Sequence, residues 1–312
     1  MKMEIVQFPL MNTDIFLAAQ GKPERLAVGF EQARQFFIDS ERRFTRFSPD
    51  SELSRLNQSA GAWFHASPDM LSVLILAQQF VALTHGLFNP SILPDLLRLG
   101  YDRSLELIRG NGSSLPMPPP ASRIRPPISA MQIRQDEGLV YLPPAVTLDL
   151  GGIAKGWIAE QAACILASFS DACSVNAGGD MFMVGLPTGA KAWEVALEHP
   201  LYPNQPLAML KIPPGAVATS SITRRVWKQG QQIRHHLIDP RTGEPVVTAW
   251  LSVTVISPHA DTSEVFAKAL LIAGPQAAHL LLKNDEQISY LAVDSAGKIW
   301  GTPKSMEYVY VN

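Results

Sequence analysis

Cysteine is nearly absent from this 312-residue chain, which has only Cys164 and Cys173. Neither sits in metal-ligand spacing, so a disulfide framework and a thiolate metal centre are both excluded, and the two are expected as buried free thiols. An excess of one charge is missing too. The formal net charge is −2 with acids and bases interspersed, which argues against a nucleic-acid face or a cationic membrane-binding helix. Any anion the protein binds must then be met by local groups. Long apolar runs are also lacking. The most apolar stretch, Met70 to Leu83, is interrupted by Gln78 and Gln79 and falls short of the roughly 20 residues of a membrane span. The opening residues MKMEIVQFPLMNTDIF reach Pro9 without the uninterrupted apolar core of a secretory signal, and no lipid-attachment cysteine lies near them. The expectation is a cytoplasmic protein.

The hydrophobic share, 46%, is enough for an ordinary globular core, in one large domain or two packed lobes. Alternation over Glu4–Phe8 and Asp14–Ala18 predicts a strand pair, followed by a helix over Phe30–Arg46. Ser67-Pro68-Asp69 supplies an N-cap, a first-turn proline and an early acid, predicting a helix to Leu83. A further helix is expected over Asp95–Leu107. Residues 111–127 then collect six prolines with glycine and serine, the composition of a connector. The expectation is a single domain spanning 1–312, with possible lobes 1–110 and 128–312 on either side of it.

Beyond Met131 the pattern turns strand-rich, with strands expected at Leu139–Leu142, Val146–Leu150, Ser174–Val184, Trp193–Leu197, Leu207–Ile212, Gln232–His236, Leu251–Ser257 and Ser289–Val293. Two helices interrupt them. One follows Gly151-Gly152 and lines up Ile158, Ala162, Ile165, Leu166 and Phe169; the other, Thr262–Ala273, lines up Val265, Ala269 and Ile272. Strands outnumbering helices predict an α+β fold with antiparallel or mixed sheets flanked by helices.

Two segments could carry chemistry. In VTLDLGGIAKGW, Val146–Trp157, a strand ends at Asp149, turns through two glycines and enters a helix at Lys155. Unpaired first-turn amides and the ammonium suit a phosphate, although the same residues also make an ordinary turn with a solvated lysine. In RHHLIDPRTGEP, Arg234–Pro245, a strand delivers His236 to a turn begun by Asp239-Pro240 and closed by Gly243. That histidine is either a general base or a ring satisfied by a backbone carbonyl, with His235 as its exposed neighbour. VNAGGD (Val175–Asp180) and VATSS (Val217–Ser221), taken singly, read as loops at strand ends.

In order, FSPDSELSRLN (47–57), GLFNPS (86–91), DLGGIAKG (149–156), NAGGD (176–180), ATSS (218–221), HLIDPRTGEP (236–245) and SVTVISP (252–258) resemble the motif series of the ApbE-like FAD:protein FMN transferases across nearly the whole chain. The resemblance implies a flavin-binding α+β fold and transfer of FMN from FAD to a threonine or serine hydroxyl of an acceptor protein, with AMP leaving. The other readings it leaves are an FAD-binding relative without transfer activity, such as a sensor, and an FAD-hydrolysing enzyme. It implies FAD contacts at Met11, Phe47, Leu87, Phe88, Asn89, Asp149, Lys155 and Leu251, with catalytic roles for His236 and Lys155. Asn89 stands where the family has aspartate and Ser91 where it has threonine. A magnesium ion is implied at the Gly152 carbonyl and at the positions of Glu264 and Lys268, where the family has aspartate and threonine. Here Lys268 cannot ligate while protonated. Either its ammonium pairs with Glu264 and replaces the metal's charge, or metal and activity are lost together, or this helix face is simply solvated.

Overall fold

A computed structural model describes residues 2–110, 128–202, 205–282 and 285–310. The chain forms two compact units. Unit 1 is made of Met1–Glu41, Lys155–Ser221 and Thr248–Asn312, and unit 2 of Arg42–Ala154 and Ile222–Val247. The segment 111–127, expected as a connector, lies outside the described residues.

Unit 1 is organised by one eight-stranded sheet: β1 (Glu4–Leu10), β2 (Thr13–Gln20), β3 (Ala172–Ala177), β4 (Asp180–Val184), β5 (Gly215–Ser221), β6 (Trp250–Ser257), β7 (Ser289–Asp294) and β8 (Ile299–Gly301). The strands lie side by side in this order and every neighbouring pair is antiparallel. The α+β expectation holds, and the sheet is antiparallel throughout. The run expected as one strand at Ser174–Val184 is the hairpin of β3 and β4. Gly178 and Gly179 both take positive φ there, the backbone of a tight two-residue turn. The Val217–Ser221 segment belongs to β5 itself.

Three long helices accompany the sheet, α1 (Pro23–Phe44), α2 (Ala154–Ala167) and α3 (Ala260–Leu281), together with the short helix Pro303–Tyr308. Helix α1 starts earlier than the expected Phe30, because Pro23 has the φ a first helical position needs and Glu24 lies favourably in the first turn. Helix α3 packs on β4, β5 and β6 and loses helical geometry at Gly274, before Pro275. A smaller three-stranded sheet (Trp193–Glu198, Pro206–Ile212 and Val309–Tyr310) shares a core of Val195, Leu197, Leu210 and Ile212 with Val217, Ile256, Leu291 and Val293. Strand β6 thus has partners on both faces, and seven of its eight residues are buried, Ser252, Thr254 and Ser257 among them. Of the cysteines, Cys173 is buried in β3 as expected, but Cys164 is exposed on α2.

Unit 2 holds the helix Glu52–Gln58, capped by Ser51, and the helix Pro68–Leu83, capped by Ser67 as expected. It also holds a three-stranded sheet of Trp63–His65, Leu139–Tyr141 and Gln132–Arg134, and the hairpin Val226–Gln229/Gln232–His235. Two expectations are corrected in this unit. The helix placed over Asp95–Leu107 is two, Leu93–Arg98 and Leu105–Gly110. Gly100 has φ +85, and the N–H groups of Gly100 and Tyr101 return to the carbonyls of Leu97 and Leu96, which closes the first helix. Residues Val146–Leu150 form no strand. The Asn57 carboxamide takes the place of a neighbouring strand there, accepting the Leu148 N–H at 2.8 Å and donating to the Leu148 carbonyl at 2.9 Å.

Candidate functional site

Two constellations, one in each unit, collect the residues singled out from the sequence. In unit 1 the first turn of α2 presents Lys155. Its Nζ donates to Glu264 Oε1 at 3.0 Å and also to Asp180 Oδ2. Asp180 enters β4 directly after the Gly178-Gly179 turn, and Glu264 projects from the second turn of α3. The second Glu264 oxygen, Oε2, accepts the Gly156 N–H at 2.8 Å. This approach requires glycine at 156, since a Cβ there would stand 2.4 Å from the Ala260 carbonyl oxygen of α3. The expectation of unpaired amides at the start of α2 is therefore corrected, because the Gly156 N–H is bonded to Glu264.

The cluster is buried: the side chains of Asp180 and Glu264 are 5% exposed and that of Lys155 is 13% exposed. Burial pushes the Asp180 carboxyl up to about 6; the Lys155 charge opposes this, the Glu264 carboxylate adds to it, and the Lys268 charge opposes it. Lys268 is half-buried, one turn beyond Glu264 on α3. The lysine expected either on phosphate or in solvent is thus held between two carboxylates. Met11 occupies the β1–β2 turn with φ +56, its N–H bonded to Glu41 Oε1 at 2.7 Å. Leu251 lies in β6, where its carbonyl accepts the Ser221 hydroxyl at 3.1 Å.

In unit 2 Asp149 ties together three segments. Its N–H reaches the Pro90 carbonyl, its Oδ1 accepts the Gly151 N–H at 2.7 Å, and its Oδ2 meets Arg46 Nε at 2.5 Å. The Arg46 guanidinium lies 4.2 Å from the Phe47 ring centre and 4.7 Å from that of Tyr101, and Tyr101 stacks on Trp227 at 5.2 Å. Among the described residues the buried Arg46 Nη2 has no hydrogen-bond partner. Phe47 keeps 38% of its surface exposed. Leu87 and Phe88 are buried. Asn89 Oδ1 accepts both the N–H and the hydroxyl of Ser91, at 2.9 and 2.5 Å. Gly152 follows in the turn before α2.

Trp227 also anchors the hairpin that ends in the histidines. It packs with Leu96, Leu99, Tyr101 and Ile238 and donates its indole N–H to the Leu99 carbonyl at 2.9 Å. The partner strand begins at Val226, opposite His235, so the ladder ends one residue earlier than expected and His236 follows the strand. His235, expected to be exposed, is half-buried, with Nε2 3.2 Å from the Val246 carbonyl, and burial lowers its pKa. His236 is half-buried as well. The turn beyond is built by Asp239, which accepts the Arg241 N–H on its side chain and the Gly243 N–H on its carbonyl. Arg98 and Arg234 both reach Glu244, at 2.9 and 3.4 Å.

The donor chemistry does not fit the magnesium implied at Glu264 and Lys268. Both Glu264 oxygens are engaged by an ammonium and an amide, and Lys268 brings a cation where a hard oxygen is required. Among the described residues no group of three or more His, Cys, Asp or Glu could hold a metal ion. Asp180 and Arg46 are the charged residues that reading along the chain missed as individuals. Asp180 carried a signal as the acid ending a Gly-Gly turn; Arg46, at the predicted end of a helix, carried none.

A sequence model of the ApbE family matches residues 11–292. Among curated proteins, the chain is 25% identical over 304 residues to an FAD:protein FMN transferase of Klebsiella pneumoniae, covering 94% of this chain and 86% of that one. It is 28% identical over 255 residues to one of Treponema pallidum, covering 75% and 68%. Among solved structures, the ApbE protein of Thermotoga maritima superposes with a TM-score of 0.82 at 22% identity, covering 99% of this chain and 100% of that one. No helix among the described residues is long and apolar enough to cross a membrane.

Proposed function

Since the chain belongs to the ApbE family, we propose that it is an FAD:protein FMN transferase. A threonine or serine hydroxyl oxygen of an acceptor protein forms a bond to the FMN-side phosphorus of FAD. The bond from that phosphorus to the bridging oxygen breaks, and the electron pair leaves on the phosphate of AMP. The observation that carries this reading is the match to the ApbE family over residues 11–292, supported by an ammonium, that of Lys155, fixed between two buried carboxylates at the start of α2. Phosphoryl transfer of this kind asks a protein mainly for positioning and charge stabilisation.

Within that reading His236 takes the hydroxyl proton and Lys155 faces the diphosphate. Phe47, with part of its ring exposed beside Arg46, is assigned to a flavin or adenine face. Asp149, Asn89, Met11 and Leu251 are assigned as further FAD contacts, and Leu87 and Phe88, whose side chains are buried, as contacts through their backbone. We place the reaction in the cytoplasm, where the free thiols of Cys164 and Cys173 stay reduced.

The test is incubation with FAD and a threonine-bearing acceptor peptide, read by mass spectrometry and AMP release. The expected products are a covalent FMN adduct and an equal amount of AMP, with transfer by His236→Ala reduced about 100-fold or more. Free FMN without an adduct would make the protein a hydrolase, and retained FAD without turnover a binder; either sinks the proposal.

A further inference from the structure

Lys155 brings its ammonium to the two buried carboxylates of Asp180 and Glu264, and α3 adds a second lysine, Lys268, next to them in the helix. Lys155 bonds both acids directly, and Lys268 stands half-buried one turn beyond Glu264 on the same helix. Formal charge within this group of four is balanced by the protein itself. A divalent ion entering here would have to break the 3.0 Å contact between Lys155 and Glu264 and the 2.8 Å bond from the Gly156 amide. It would also meet two like charges at close range, and magnesium tolerates neither a distorted nor an incomplete oxygen shell. The lack of a Cβ at residue 156 lets α2 and α3 approach closely.

We propose that in this protein the ammonium groups of Lys155 and Lys268 take the place, beside the Asp180 and Glu264 carboxylates, that the family resemblance implies for a divalent cation, so that FMN transfer runs without one. The inference rests on the transferase reading for its catalytic consequence, but its structural half concerns the protein alone.

The experiment has two arms. In the first, FAD-free protein is titrated with Mn²⁺ and bound ion is read by electron paramagnetic resonance. The wild type is expected to bind no stoichiometric ion below millimolar concentration, whereas Lys268→Thr, which exchanges the ammonium for a hydroxyl, gains one site. In the second, transfer to the acceptor peptide is measured with excess chelator and with added Mg²⁺. Wild-type rates are expected to agree within about twofold, and Lys268→Thr to lose about tenfold or more in chelator and recover with Mg²⁺, on the scale of one electrostatic contact to a transferring phosphate. Lys268→Gln, checked by its melting curve, stands in if the threonine variant does not fold. Tight Mn²⁺ binding by the wild type, or abolition of its transfer by chelator, overturns the proposal. If no transfer occurs under any condition the transferase reading has failed, and the Mn²⁺ arm still decides the structural half: a wild type that binds ion refutes it, and a site gained only on loss of Lys268 supports it.

Discussion

In unit 1 a lysine is held between two carboxylates on two other elements, whereas in unit 2 an arginine takes one carboxylate and spreads over two aromatic rings. The difference follows from the cations. Lysine's ammonium is a compact point charge with three donors, able to serve Asp180 and Glu264 together. Arginine's guanidinium is flat and weakly hydrated, so it can pair with Asp149 through Nε while lying against Phe47 and Tyr101. The first arrangement is purely ionic and fails if one charge is deleted; the second divides its stabilisation between charge and contact area.

The largest effect is therefore expected in unit 1. Lys155→Met leaves two buried carboxylates facing each other, and its cost should be about 3–5 kcal/mol in urea unfolding. A loss below about 1 kcal/mol would mean that water reaches the cluster and that the two units are alike in kind. Arg46→Lys keeps the charge in unit 2 but gives up the planar contact with the rings. It should cost about 1–2 kcal/mol, and Arg46→Met, which keeps apolar contact without charge, separates the two contributions.

The smallest effects concern two histidines of opposite sign. His235 in unit 2 has its pKa lowered from 6.5 chiefly by burial, so its contribution to stability is present above pH 6.5 and is lost as pH falls through the lowered value. His259 in unit 1 is raised from 6.5 chiefly by its 2.9 Å hydrogen bond to Glu160, so its contribution is present below pH 6.5 and is lost as pH rises through the raised value. Melting temperatures between pH 5.5 and 7.5 should thus become less acid-sensitive in His235→Gln and less alkali-sensitive in His259→Gln. Identical slopes in both variants would contradict the assignment.

Local rules account for what was readable along the chain. Ser67 and Pro68 start a helix because capping and a preset φ act within one turn, and the Gly151-Gly152 turn into α2 is likewise decided by neighbours in sequence. The misread stretch, Val146–Leu150, has a strand's alternation, but its partner is the Asn57 side chain, about ninety residues away, and nothing in a local pattern reports on that. His236 lies just beyond its strand for a similar reason: the ladder stops at Val226, the first residue of the opposite strand, which pairs with His235.

From the sequence alone came the family resemblance, the α+β class, the positions of most strands and the identities of Lys155, Asp149, Glu264 and Lys268 as residues of interest. Tertiary structure alone decided their company. Lys155 stands 25 residues from Asp180 and 109 from Glu264, separations across which charge pairing is set by how α2, β4 and α3 pack and not by any spacing. Sequence specifies which charges exist, but a buried charge is stable only beside its counter-charge, and which one it meets depends on the packing of the whole unit.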